Sequence, residues 1–215
     1  MKTRQKIYLF FKRFFDIFCS FLAIVILSPL LLIISLLIKI DSRGPILFKQ
    51  DRIGKNKKIF KMWKFRSMRI DAPKNAPTHM LDNPDLYITK IGKFIRKTSI
   101  DELPQLFNVL MGKMSIIGPR PALWNQDDLV SERDKYHAND IRPGLSGWAQ
   151  VNGRDELEIP VKAKLDGYYY QKFSLWLDIK ILFMTIFKVF KHDGVVEGKH
   201  EETEEEKELN EKVGS

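Results

Sequence analysis

A chain of 215 residues, 44% hydrophobic and 29% charged, has room for one sizeable folded domain and rarely two. Its formal charge of +9 is unevenly spread: residues 197–215 hold eight Glu against three Lys, so the remainder carries about +14 and calls for an anionic partner, whether nucleic acid, anionic lipid or a phosphorylated substrate. The single cysteine, Cys19, lies in an apolar run, which excludes a disulfide framework and a Cys-based metal site, and nothing argues for secretion of the folded part.

In chain order, residues 17–38 come first: apolar apart from Cys19, Ser20, Ser28, Pro29 and Ser35. As a straight helix this run measures roughly 33 Å, enough to cross a bilayer. It is too long for a signal peptide and no small-residue cleavage site follows. Ser28-Pro29 falls near its middle, where a proline loses a hydrogen bond and clashes with the preceding turn, so a sharp bend is expected. Lys2, Arg4, Lys6, Lys12 and Arg13 precede the run, and Lys39, Arg43, Lys49 and Arg52 follow it. Basic residues favour the cytoplasmic side. A re-entrant hairpin keeps both flanks there; a single kinked transmembrane helix is the alternative, and both stand at this point.

Residues 46–50 and 58–65 alternate like short strands around a turn at 52–56. Residues 71–85, rich in Pro, Asn and Asp, predict an exposed loop. A short helix is expected over 103–111, and loop with at most short strands over 136–154, where Pro143, Gly144, Gly147 and Gly153 fall. Residues 173–190 place Leu175, Trp176, Ile179, Leu182, Phe183, Ile186, Phe187 and Phe190 at near-helical spacing among lysines. Such a helix either lies in a membrane headgroup plane or faces a core. The Glu/Lys tail at 197–215 forms a solvated helix or no fixed structure, and carries no assigned chemistry.

Basic residues cluster beside Gly and Pro at Lys64-Phe65-Arg66-Ser67-Met68, Arg96-Lys97, Gly118-Pro119-Arg120-Pro121 and Arg142-Pro143-Gly144. An arginine between prolines sits on a stiff backbone, which limits the entropy lost when its fork engages a phosphate. The acidic counterpart is Ser99-Ile100-Asp101-Glu102-Leu103-Pro104. Ser99 and Glu102 have capping-box spacing. The same residues also suit chemistry: adjacent carboxylates can hold Mg²⁺, and a carboxylate can attack phosphorus directly. His79, His137, His192 and His200 have no metal-ligand spacing, and neither a P-loop nor a Gly-x-Ser-x-Gly elbow is present.

Taken together, KRFFD with the downstream SP, FKQDRIGKNKKIFKMWKFRSM, TKIGKFIRKTSIDELPQLFNVLMGKMSIIGPRP, RPGLSGWAQVNGR and SLWLDIKILFMTI resemble the monotopic phosphoglycosyl transferases, or bacterial sugar transferases, from about Lys12 to Glu197. The short length and the ending KVFKHDGV look most like the small single-domain diacetylbacillosamine-1-phosphate transferases. The resemblance implies a mostly helical α+β fold. An N-terminal re-entrant membrane helix-break-helix (1–40, broken at Ser28 and Pro29) packs on a small cytosolic catalytic domain with short strands and interfacial amphipathic helices (41–196), and a charged tail follows (197–215).

It also implies transfer of a sugar-1-phosphate from a UDP-sugar to polyprenyl (undecaprenyl) phosphate at the cytoplasmic face of the bacterial inner membrane, initiating glycoconjugate assembly. Asp101 would attack the β-phosphorus, UMP would leave, and the polyprenyl phosphate would take the sugar-phosphate from Asp101. Asp101 and Glu102 would be catalytic and would neighbour the required Mg²⁺. Lys64, Arg96 and Arg120 would contact phosphate, and Arg142, Pro143, Gly144, Gly147 and Gln150 would line a nucleotide-sugar pocket. The phospholipid membrane is an implied partner, nucleic acid is not, and a homodimer is left open. Residues 155–160 depart from the family pattern after VNGR, so no sugar identity is carried over. The competing class is a non-catalytic, membrane-anchored basic module for anionic lipid or nucleic acid, in which Asp101 could be replaced freely.

Overall fold

The computed structural model describes residues 3–72, 84–153 and 157–191. Most of the expected 71–85 loop, part of the divergent 155–160 stretch and the whole 197–215 tail lie outside the described residues.

Helix α1 (Thr3–Asp41) is continuous and contains Pro29. Over Gln5–Asp41 it is long and apolar enough to cross a membrane. Pro29 has no N–H for the Val25 carbonyl four residues back, and the Ser28 hydroxyl donates to that carbonyl instead, at 2.8 Å. The expected break at Ser28-Pro29 is therefore not an interruption of helical structure: the neighbouring serine replaces the bond that proline removes. Most side chains of the middle of α1 face outward, Phe18, Phe21, Val25 and Ile26 among them. Towards its two ends α1 instead buries Asp16 and Ser20, then Ile34 and Ile38.

Two strands, β1 (Leu47–Ile53) and β2 (Ile59–Phe65), form an antiparallel hairpin in register from Leu47 opposite Phe65 to Ile53 opposite Ile59. A 3₁₀ turn at Lys55–Lys57 joins them, with Asn56 and Lys57 left-handed. Helix α2 (Lys90–Lys97) starts at Thr89, whose hydroxyl accepts from Gly92 N. A 3₁₀ turn (Ile100–Glu102) leads into α3 (Gln105–Leu110), inside the helix expected over 103–111. Strand β3 (Ser115–Ile117) pairs in parallel with β4 (Gly144–Ser146). Helices α4 (Asp127–Asp134), α5 (Trp148–Val151), α6 (Ile159–Lys172) and α7 (Leu175–Lys191) and two further 3₁₀ turns, Pro84–Leu86 and Ala138–Asp140, complete the described elements. The stretch expected to be loop over 136–154 thus contains β4, as anticipated, and also the short α5.

Three apolar clusters hold these elements together. Ile34 and Ile38 of α1 pack with Phe65 and Ile95, seating α2 on the C-terminal half of α1. Phe60, Met62, Val109 and Met114 join β2 to α3. Ile117, Ile141, Val151, Tyr169, Phe173 and Ile181 join β3, α5, α6 and α7. A buried polar knot adds to the third: Tyr8 and Lys12 of α1 and Tyr169 of α6 all donate to Asp178 of α7.

Candidate active site

The first two clusters meet where the chain runs from α2 to α3. Ser99 adopts the left-handed conformation, φ 56°, and makes no side-chain cap bond. The capping box suggested by the Ser99–Glu102 spacing is therefore absent. The turn joins α2 to α3, and the Glu102 side chain is drawn elsewhere. Lys64 Nζ donates to Glu102 Oε1 at 2.7 Å. Arg120 NH2 donates to the same oxygen at 2.8 Å, while its NH1 reaches Oε2 at 3.5 Å.

Strand alternation explains the Lys64 contact. Phe60 and Met62 point into the core, and the period of two puts Lys64 on the same face, over Glu102. Asn108 of α3 fixes that approach: its Oδ1 accepts from Trp63 N and its Nδ2 donates to Lys61 O, both at 2.9 Å. Arg96, near the end of α2, donates to Ser67 Oγ at 3.5 Å and adds its charge to the field at Asp101.

Asp101 is 8% exposed. Burial pushes its carboxyl up to about 6; Lys64, Arg96 and Arg120 pull it down, and Glu102 pushes it further up. Glu102 goes the other way. Its burial also opposes ionisation, but the charges and hydrogen bonds of Arg120 and Lys64 win and hold it well below the usual glutamate range. Two adjacent carboxylates are thus tuned apart. One is held ionised by cations that hydrogen-bond it; the other is pushed up to about 6 and carries no such hydrogen bond. A carboxylate in the second state has lone pairs available to a substrate.

The Arg120 loop is itself gripped from behind. Arg133 NH1 donates to Arg120 O at 3.0 Å, while its Nε and NH2 hold Asp166 Oδ2 in a buried pair. Arg52 NH1 donates to Pro121 O at 3.1 Å, and its Nε and NH2 are fixed on Gln50 Oε1. Gln50 and Arg52 lie within the motif FKQDRIGKNKKIFKMWKFRSM, which gives them no role by itself, and no motif points to Arg133. Arg133 lies in an acidic stretch 33 residues from Asp166, so no local signal joins them.

The residues expected to line a nucleotide-sugar pocket take a structural position beside this loop. Gly144 N donates to Pro119 O, Gly118 N to Ser146 O, and Ser115 N to Pro143 O. A Cβ on Gly144 would sit 2.1 Å from Gly118 N, and one on Gly147 would sit 2.1 Å from Gly118 O. These glycines are needed for two backbones to cross. Arg142 turns towards the far end of α3, where its Nε donates to Gly112 O at 2.9 Å. Gln150 makes a weak bond from Nε2 to Leu145 O at 3.4 Å, and its Oε1 is buried without a protein partner. The structure therefore brings Lys64, Arg96, Asp101, Glu102 and Arg120 together, and sets 142–150 behind them as support.

Among the described residues no three His, Cys, Asp or Glu side chains gather as a metal cage. The Asp101-Glu102 pair does fit Mg²⁺, which is commonly held by one or two carboxylates together with waters and substrate phosphates. Both cations converge on Glu102 Oε1, leaving Oε2 with the 3.5 Å arginine contact, and Asp101, the preceding residue, is close enough for the two charges to interact.

The profile of the family described as Bacterial sugar transferase matches residues 7–192. The UDP-N-acetylgalactosamine-undecaprenyl-phosphate N-acetylgalactosaminephosphotransferase of Aeromonas hydrophila is 44% identical over 188 residues, covering 84% of this chain and 44% of that protein. The UDP-glucose:undecaprenyl-phosphate glucose-1-phosphate transferase of Klebsiella pneumoniae is 42% identical over 193 residues, covering 84% of this chain and 40% of its own length. The chain thus spans less than half of these two relatives. The exopolysaccharide production protein PSS of Rhizobium leguminosarum bv. phaseoli is of similar size: 45% identity over 187 residues covers 81% of this chain and 92% of that one. The two named donors carry different sugars, and none of these three names supports the expected diacetylbacillosamine subgroup.

Proposed function

The chain belongs to the bacterial sugar transferase family, and on that premise we propose that it transfers a sugar-1-phosphate from a UDP-sugar to polyprenyl phosphate through a covalent intermediate on Asp101. The observation that carries this reading is a buried carboxyl, pushed up to about 6 by burial, beside a second carboxylate fixed by Lys64 and Arg120. A UDP-sugar brings a diphosphate, and the cluster's three cations exceed its two carboxylates, so the site has charge to receive it.

In the first step an ionised Asp101 oxygen attacks the β-phosphorus. The bond from that phosphorus to the bridging oxygen breaks, and UMP leaves with the electron pair. In the second step a phosphate oxygen of the polyprenyl phosphate attacks the same phosphorus and expels the Asp101 carboxylate, giving polyprenyl diphosphate sugar. Lys64, Arg96 and Arg120 orient the phosphates and offset their charge. Glu102 keeps Lys64 and Arg120 in place and, with Asp101, would hold Mg²⁺. Bound there with the diphosphate, the ion would supply charge neutralisation at the phosphate oxygens. Residues 142–150 would bear on the nucleotide-sugar pocket through Gln150 and through the loop they hold in position.

The acceptor is a lipid, and α1 supplies the anchor. A re-entrant path is supported by what α1 touches. Arg13 and Asp16 near one end, and Ile34, Ile38 and Asp41 at the other, all contact the same body. A full crossing would put about 30 Å of hydrocarbon between those ends, and that body would have to occupy it. Helix α7, with Trp176, Phe183 and Phe187 exposed, suits the interface plane. On this reading the catalytic domain lies at the cytoplasmic face of the inner membrane, the side that the basic residues flanking the apolar run favour.

The test is incubation of the membrane-reconstituted chain with a panel of UDP-sugars, Mg²⁺ and undecaprenyl phosphate. UMP release and a phosphosugar adduct on the Asp101 peptide, seen by mass spectrometry, are expected. Folded protein giving neither across the panel would overturn the assignment.

A further inference from the structure

The segment carrying Asp101 runs from the start of α2 to the end of α3, and a single helix holds it at both ends. At the entry, Asp41 at the end of α1 accepts from Ile91 N at 3.1 Å, beside the Thr89 cap on Gly92 N. The first turn of α2 thus receives a carboxylate from a distant part of the chain, where helix-end N–H groups and their dipole favour negative charge. At the exit, Arg13 grips the last turn of α3: NH1 donates to Val109 O at 2.7 Å and NH2 to Leu110 O at 3.0 Å. Gly112 turns the chain there with φ +80°, and a Cβ at that position would lie 3.3 Å from Arg13 NH2. A cation on the C-terminal carbonyls of a helix is the mirror of the Asp41 contact.

Arg96, Asp101 and Glu102 lie between the two fastenings. Arg13 and Asp41 lie on opposite sides of Ser28-Pro29. How far apart they stand, and at what angle, is therefore set by the course of α1 through that serine and proline.

We infer that α1 is a positioning strut as well as an anchor: Arg13 and Asp41 clamp the Asp101 segment from its two ends and fix where that carboxylate stands relative to Glu102, Lys64 and Arg120. Both are positioning residues, since neither touches the reacting groups. The inference rests on Asp101 being the reacting carboxylate. It ties the seating of the helix to the geometry of the chemistry, so that a chain whose α1 is not properly seated is a poor catalyst even when substrates are bound.

The test uses the full chain in lipid nanodiscs, with Arg13→Ala, Arg13→Lys, Asp41→Ala and Asp41→Asn. Lys6→Ala and Lys39→Ala serve as controls that remove a charge from exposed positions of the same helix. Arg13→Ala and Asp41→Ala are expected to lower kcat for UMP release about 10- to 100-fold, as misplacement of a reacting group does. KM for the UDP-sugar should change by less than about 3-fold, because the phosphate contacts remain. Asp41→Asn, which keeps an acceptor, should recover most of the rate. Arg13→Lys should recover little, because one ammonium replaces a two-pronged fork. Amide exchange across 99–111 should accelerate in the two alanine variants and stay at the wild-type rate in both controls, with vesicle flotation retained throughout.

Unchanged kcat and exchange in Arg13→Ala and Asp41→Ala would overturn the clamp. So would equal losses in the lysine controls, which would point to attraction to lipid charge. Loss of flotation and melting temperature with no rescue by Asp41→Asn would reduce the contacts to fold maintenance. If the wild-type chain releases no UMP from any donor, the assignment of Asp101 falls, while exchange across 99–111 still reads the clamp.

Discussion

Asp101 and Glu102 share a turn and a field yet are tuned in opposite directions, and the difference is measurable. Asp101 has its folded-state value near 6 against 3.8 unfolded, so the fold prefers its protonated form. Its stabilising contribution is full below the unfolded value and is lost as pH rises through about 6, a change of about 3 kcal/mol. Asp101→Asn should therefore be more stable than the parent at pH 8 by about 1–3 kcal/mol, with the gap closing towards pH 5. Thermal denaturation at the two pH values reads this; an equal gap at both would sink the burial account. The same variant should release no UMP and form no adduct. In the parent, UMP release should fall as pH drops below about 6, because attack needs the ionised oxygen. Arg120 invites a second test. Its guanidinium reaches both oxygens of Glu102, a fork that an ammonium does not reproduce. Arg120→Lys should lose about 10-fold or more in kcat/KM for the UDP-sugar; a rate within about 2-fold of the parent would mean that only charge matters there.

Elements whose order is local were legible in the sequence, and those made by distant partners were not. The alternation of Phe60 and Met62 reported β2, and the apolar spacing after residue 173 reported α7. The Ser99–Glu102 spacing suggested a cap that does not form, because Lys64 and Arg120 claim the glutamate from 38 and 18 residues away. Composition pointed to the Arg120 loop, but not to Arg52 and Arg133, which hold its carbonyls. The resemblance puts Gly144 and Gly147 in a pocket; in the structure they let the chain pass Gly118. That duty gives an element-scale prediction. Gly144→Ala places a Cβ 2.1 Å from a backbone nitrogen, which cannot swing aside as a side chain can. It should cost about 1–3 kcal/mol in thermal or denaturant stability. It should also lower activity, since the displaced strand carries the chain into Arg120. Wild-type stability would show that β3 and β4 slip past each other more easily than their spacing allows.

For the molecule as a whole, one apolar helix is fastened to one body at both ends while much of its middle faces outward. Near its N-terminal end the fastenings are Tyr8 and Lys12 on Asp178, Arg13 on the end of α3 and Asp16 on Ile116 N. At its C-terminal end they are Ile34 and Ile38 in an apolar cluster, Asp41 on Ile91 N, and the buried Arg66 on the carbonyls of Ser42 and Arg43. Breaking either set strands buried charged or polar groups, at about 1–3 kcal/mol for each unsatisfied partner. A bilayer that separated the two ends would have to break one whole set at once. Both ends should therefore lie on one side of the membrane. In a Cys19→Ser background, which removes the single thiol, Lys6→Cys and Lys39→Cys place reporters at exposed positions on either side of the run. Membrane-impermeant maleimide should label both only when the cytoplasmic face is opened, as in inverted vesicles. Labelling of one from each side would reject the re-entrant path and require one set of these contacts to be broken in the membrane.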